Sequence, residues 1–306
     1  MIRRHRHIGS AAIVVAAIAV TGTVVSLRGG DCPEWGGTPA RNMVSGETGL
    51  PDSFDPSGGR NVLWSVQLGT HTYGNPTVAG GRVIVGTNDA CLDGDRLRRT
   101  RGGVIHCFDR KTGDRLWRLA VPRFRTNDRK FNYDDMNLGI CSAATIAGDR
   151  VYVVDSRGFV LCLDAKGQAD GNDGPYTDEG QFMAGKGRDP VTVKPGDGDI
   201  VWCYDMIHEL PVWPQDASSS AVLLVDDMVV VGTSNAVDRS HYDVPYPDAP
   251  SLIVLHRETG RLLAADAEKI GRRMLHGQWS SPALGEVDGE KLIFYGGGDG
   301  ICYAFR

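Results

Sequence analysis

Apolar and polar positions along this chain fall into a repeating hairpin rhythm, not a helical one. Three stretches align by eye, residues 75–87, 143–154 and 220–233, and a looser copy runs over 281–296. Each has a short apolar run, a two-residue turn of Gly or Asp type (Gly80-Gly81, Gly148-Asp149, Asp226-Asp227) and then a β-branched run such as Val83-Ile84-Val85. Two such runs around such a turn predict a β-hairpin. Each hairpin is followed by a third strand, predicted over 104–109, 159–164, 252–256 and 300–305. A turn and a last strand come next in three of the copies, at 112–117, 198–202 and 259–264.

Four antiparallel strands recurring in this order make a propeller blade. The predicted fold is therefore all-β: a β-propeller of about four four-stranded antiparallel blades, in a closed or an incomplete ring, preceded by an N-terminal hydrophobic helix. The repeat is uneven, with 68 residues from Val83 to Val151, 78 from Val151 to Val229 and 63 from Val229 to Leu292. Loop insertions account for this, because lengthening a loop leaves the sheet untouched. One isolated strand is expected at 61–68. It is predicted to pair with 301–305 as the missing fourth strand of the last blade, since closure removes an exposed sheet edge. Two insertions stand out. Residues 91–101 carry Arg96, Arg98, Arg99 and Arg101 and read as a solvated basic loop, with phosphate binding as the functional alternative. Residues 167–199 are Gly-rich and acidic and read as a flexible surface loop. Asp170-Gly171-Asn172-Asp173-Gly174 only half fits a calcium loop.

The N-terminus changes the picture from fold to location. Arg3, Arg4 and Arg6 precede 20 uncharged residues, Ile8 to Leu27. A basic start followed by an apolar core is a targeting pattern. The core is long for a cleaved signal and suits a membrane-spanning helix, N-terminus inside. A cleaved signal and a buried helix stay open as alternatives. The expected division is thus 1–30 as a signal or anchor with its helix at 8–27, 31–60 as a Gly/Pro-rich linker or strap, and 61–306 as the propeller. The expected location is the cell envelope, membrane-anchored with the propeller on the periplasmic side. The net charge of −5 leaves no footprint for nucleic acid. Export permits disulfides among the seven cysteines, one at least remaining unpaired. Cys107 and Cys162, at equivalent strand positions, read as small buried hydrophobes.

Candidate chemistry follows from the repeat. First strands line a propeller's channel, so the segments leading into them rim one mouth. These segments are 71–75, 137–142, 215–219 and 276–280, and they are rich in His, Asn, Gln, Asp, Tyr and Trp. A ligand-binding site is therefore expected where Tyr73, Asn75, Asn137, Asp216, His276, Gln278 and Trp279 converge. The alternative is that these side chains cap strands. His106 and His256 read as structural, and Asp134-Asp135 as a solvated turn and not an acid/base pair. No G-x-S-x-G, P-loop or H-E-x-x-H motif is present, so no catalytic residue is assigned.

The run Cys107-Phe108-Asp109-Arg110-Lys111-Thr112-Gly113-Asp114-Arg115-Leu116-Trp117 resembles the tryptophan-docking motif of quinoprotein-type propellers, with Cys107 where Ala is usual. Trp35-Gly36-Gly37-Thr38-Pro39 resembles the leader of a bacterial pyrroloquinoline quinone (PQQ)-like group. The resemblance covers roughly 60–306. It implies that Trp64, Trp117 and Trp202 dock on neighbouring blades. The third copy departs, with His256 for the Asp and Ala264 for the Trp. Two functions are favoured over a third, a hydrolase using the His/Asp-lined mouth. The first is a non-catalytic envelope scaffold or recognition module, as in the propeller subunit of the outer-membrane β-barrel assembly machinery, with an envelope protein or small molecule as partner. The second is a PQQ-dependent dehydrogenase with calcium-assisted quinone binding. The adjacent Cys pair seen beside the quinone in many dehydrogenases is missing, and only Trp279 and Trp213 offer a platform.

Overall fold

The computed structural model describes residues 30–123 and 136–306. The predicted helix at 8–27 and the Asp134-Asp135 pair lie outside them. Among the described residues fifteen strands form four antiparallel sheets. The first blade holds β1 (Thr77–Ala79), β2 (Arg82–Asn88), β3 (Gly103–Asp109) and β4 (Arg115–Val121). The second holds β5 (Thr145–Ala147), β6 (Arg150–Val154), β7 (Phe159–Asp164) and β8 (Asp199–Asp205). The third holds β9 (Leu223–Val225), β10 (Met228–Gly232), β11 (Leu252–His256) and β12 (Leu262–Ala265). The fourth has three strands, β13 (Ala283–Val287), β14 (Glu290–Gly296) and β15 (Cys302–Phe305). In every sheet the strands neighbour one another in chain order. The first hairpin shows why: Gly80 and Gly81 both have positive φ, 57° and 79°, which a tight turn matching the strand twist requires.

Tryptophans tie the segment before β1 to the first blade, the first blade to the second and the second to the third. Trp64 Nε1 donates to Arg110 O, Trp117 Nε1 to Ala165 O and Trp202 Nε1 to Arg257 O, each at 2.9 Å. Beneath each indole lies a glycine in the left-handed region: Gly113, Gly167 and Gly260. A Cβ there would stand 2.7, 2.7 and 2.5 Å from the ring, so only glycine lets the indole lie flat on the turn. Trp117 and Trp202 are buried in two successive hydrophobic clusters, between the first and second and the second and third blades. Where Ala264 stands at the fourth docking position, buried Tyr295 and Ile270 pack with Leu223, Val230 and Leu252 instead.

Two expectations are corrected. Residues 61–68 form no strand, and β15 bonds only to β14, so the predicted pairing of 61–68 with 301–305 is not made. Trp64 commits that segment to the first blade, where it packs on Phe108 with ring centroids 6.3 Å apart. The 167–199 insertion is not a loose surface loop. It contains α1 (Glu179–Ala184), whose Phe182 and Met183 are buried in the core. Its end is pinned by a bidentate pair from Arg96 to Asp197, both contacts 2.7 Å.

Residues 32–41 bond to the innermost strands of three sheets and to the residue leading into that of the third blade. Cys32 exchanges backbone hydrogen bonds with Val78 in β1, Pro33 O accepts from Ile146 N in β5, and Pro39 O accepts from Leu284 N in β13. Arg41 reaches the third blade by donating to Val222 O at 2.9 Å, and also donates to Pro282 O and Trp35 O. Its guanidinium is buried and lies 3.6 Å from buried Glu34. Burial pushes the Glu34 carboxyl up, with Arg41 pulling it back down.

Candidate functional site

The segments leading into β1, β5, β9 and β13 meet at one cavity of about 230 Å³. Tyr73 and Asn75 come from the first segment, Cys141 and Ala143 from the second, Ser219 and Ala221 from the third, and Trp279 with two serines from the fourth. Trp35 supplies a second indole from the segment threaded between the blades. Tyr73 and Trp279 are 59% and 42% exposed, so the aromatic rim is open to solvent. Trp279 lies over Gly277, where a Cβ would come within 2.5 Å of its ring.

The other sequence-predicted residues sit around this cavity or behind it. His276 is 5.8 Å from Trp279, ring to ring, and stacks on His241 at 5.0 Å. His241 Nδ1 and His276 Nε2 are 2.8 Å apart, and Gln215 Nε2 is within 3.3 Å of both rings. Gln278 faces inward. Its amide donates to Asn235 O and Ser251 Oγ, and its Oε1 accepts from Gly298 N, so it ties the third blade to the fourth. Asn137 and Asp216 take left-handed φ of 60° and 59°, a conformation that Asn and Asp tolerate at turns. Asn88 donates to Asn137 O and holds that turn. None of these four lines the cavity. Trp213 is buried in the core and offers no platform there. His241 and Gln215 were not singled out by residue; His241 belongs to the long β10–β11 loop, which has no repeat register to reveal it.

Serines organise the rim from behind. Ser142 Oγ donates to Ser220 O and accepts weakly from Val154 N, while Ser220 Oγ accepts from Gly232 N. Each thus ends its own blade's second strand.

The cavity does not suit PQQ with calcium. That quinone carries three carboxylates and needs cations, and calcium needs oxygen ligands with charge among them. No Lys, Arg, Asp or Glu lines this cavity among the described residues. Three carboxylates do gather elsewhere, Asp164, Asp170 and Asp173, with ligand atoms within 4.8 Å of one another. Arg150 and Lys166 already pair with two of them at 2.6 Å. Asp199, beside this cluster, is pushed up to about 7 by burial, although Asp173 N donates to it.

Four-stranded antiparallel blades, indoles docked across their boundaries and a polar mouth at the strand starts define a quinoprotein-type β-propeller. Residues 53–273 match the family described as outer membrane protein assembly factor BamB, and the chain belongs to that family. No curated protein matches. Among solved structures, quinohemoprotein alcohol dehydrogenase from Comamonas testosteroni is 14% identical, over 87% of this chain and 35% of that one, with a TM-score of 0.44. BamB from Moraxella catarrhalis is also 14% identical, over 76% of this chain and 46% of that one, with a TM-score of 0.38. The computationally designed Ika4 protein is 14% identical, over 79% and 96%, with a TM-score of 0.38. The chain spans about a third of the two quinohemoprotein structures that it matches, 35% and 32% of their lengths. Among the described residues no helix is long and apolar enough to cross a membrane.

Proposed function

We propose that this protein is a recognition propeller of the bacterial cell envelope whose channel mouth takes a neutral or aromatic group from a partner protein. The observation that carries this reading is the character of the mouth. Trp35, Tyr73 and Trp279 surround a small cavity whose polar lining is hydroxyl, amide and thiol. Such a lining suits packing and directional hydrogen bonds more than proton transfer, which needs a tuned acid or base in reach. The family description, an outer-membrane assembly factor, supports a protein as the partner. The basic start and the uncharged stretch at 8–27 support export, with 1–30 as the targeting segment, 31–60 as the strap and 61–306 as the propeller.

The test has two arms. Purified protein is titrated with PQQ and Ca²⁺ while absorbance and tryptophan fluorescence are followed. No saturable change is expected, and a stoichiometric one would favour the dehydrogenase reading. A photoreactive phenylalanine analogue replacing Tyr73 should crosslink to a discrete envelope protein, and the adduct should disappear in the Trp279→Ala background. Equal labelling from the same analogue at exposed Leu263 would sink the recognition reading.

A further inference from the structure

The cleft beside the first two blades has the opposite character to the mouth. It measures about 430 Å³ and draws on the β2–β3 loop, the residues after β4, the β6–β7 turn and the segment after α1. Six of its lining side chains are cationic: Arg99, Arg101, Arg123, Arg157, Lys186 and Arg188. Among the described residues lining it none is a carboxylate. The whole chain carries −5, so this is a local inversion of its charge. An adjoining hollow of about 370 Å³ differs, because Asp95 and Asp189 stand there beside Arg98 and Arg188. Arg96, also in that hollow, is clamped by Asp197. Among the described residues carboxylates line the second hollow and not the first, where Arg157 pairs with Asp155, which does not line the cleft.

A second, independent observation comes from Arg157. A solvated basic face holds its cations on flexible stems, but the Arg157 side chain is only 9% exposed. Its guanidinium carbon lies 3.9 Å from the Phe182 ring centre and 4.7 Å from that of Phe159. Nε donates to Asp155 at 3.1 Å, which fixes the plane of the group. Nη2 is buried and has no hydrogen-bond partner, although Arg157 lines the cleft. A buried donor left unpaired is costly, and a planar, held guanidinium is the group best suited to bind phosphate oxygens.

We propose that this cleft binds a phosphate group, with Arg157 as the fixed donor at its base and Arg99, Lys186 and Arg188 as the cations closing on the anion. The phosphate reaches it either on a small soluble molecule or as a phospholipid headgroup, and the experiment separates these. Pyrophosphate is titrated into the full chain by calorimetry, and chloride at matched ionic strength serves as the reference. Saturable binding is expected for pyrophosphate alone. Exposed Lys186→Glu and Arg188→Glu should each weaken it roughly tenfold or more, as loss of a charge-assisted hydrogen bond predicts. They should leave the melting temperature unchanged, and Arg261→Glu, a surface cation away from the cleft, should leave affinity unchanged. Co-sedimentation with phosphatidylcholine vesicles, with and without phosphatidylglycerol, is measured on the same variants. Retention on the anionic vesicles, lost in Arg188→Glu, assigns the phosphate to a lipid, and pyrophosphate binding without retention assigns it to a soluble ligand. Absence of both, or equal loss in Arg261→Glu, overturns the proposal.

Discussion

His106 carries one of the largest protonation penalties in the molecule. It sits in β3, 2% exposed, with Nε2 3.5 Å from Cys91 Sγ and no partner for Nδ1. Burial, with Arg115 and Arg118 nearby, lowers its pKa to about 3. The unfolded imidazole takes a proton below about 6.5, whereas the folded one stays neutral down to about 3. Between those values the unfolded chain binds more protons. Stability is therefore full above pH 6.5 and falls as the pH drops, by at most about 1.4 kcal/mol per unit from this group. Urea unfolding across that window should show the slope, and His106→Leu should flatten it. An unchanged slope would put the acid sensitivity elsewhere. His256 shows the other use of an imidazole. In the first blade Asp109 Oδ1 accepts from Lys111 N and Thr112 N to hold the turn. In the third, His256 Nδ1 accepts from Glu258 N and lies 3.2 Å from Thr259 Oγ1, so it replaces the missing carboxylate. The sequence marks the substitution. That imidazole can do the same work follows only from where its nitrogen lands.

At the scale of elements, each docked indole joins one blade's fourth strand, or the segment before β1, to the next blade's last turn. Trp117 is fully buried and Trp64 only half. Trp117→Ala should cost about 3–5 kcal/mol, as a large-to-small change in a packed core does, and Trp64→Ala distinctly less. Gly260→Ala should also destabilise, because its φ of 67° and its approach to Trp202 both exclude a Cβ. Chemical denaturation of the three variants checks the order; a Trp64→Ala loss equal to that of Trp117→Ala would contradict it. The tryptophans and two of their glycines were readable because the motif is local, spanning 11 residues from Cys107 to Trp117. Gly167 was not, since the second copy's turn opens into the 167–199 insertion. That insertion was misread from its composition, because Phe182 and Met183 are few against many Gly and Asp. Their burial is a property of the core they meet, not of the loop that carries them.

At the scale of the whole molecule, residues 31–306 form one compact unit. A chain starting at Asp31 should fold with an unchanged β-sheet circular dichroism spectrum. One starting at Met43 should not, or should melt far lower. It would lack the segment bonded to β1, β5 and β13, including Arg41, which donates to Pro282 O and to Val222 O just before β9. Equal melting temperatures for the two would show that the blades cohere without it. The sequence reads 31–60 as a linker or strap and not as part of a blade, because it has no hairpin rhythm.

Strand order within the blades, turn type and the positions of the mouth segments were determined by the sequence alone, whereas the extra strand expected at 61–68 does not form. Each depends on residues close in the chain, where alternation and turn chemistry act directly. Tertiary structure decided what those positions do. It turned Tyr73, Asn75 and Trp279 toward a shared cavity and turned Gln278 into the junction of two blades. It also brought Arg99, Arg157 and Arg188 to one wall, although the sequence shows only the arginine run at 96–101. Side chains distant in sequence meet only after the backbone has folded, and no local pattern encodes which of them will then find a partner.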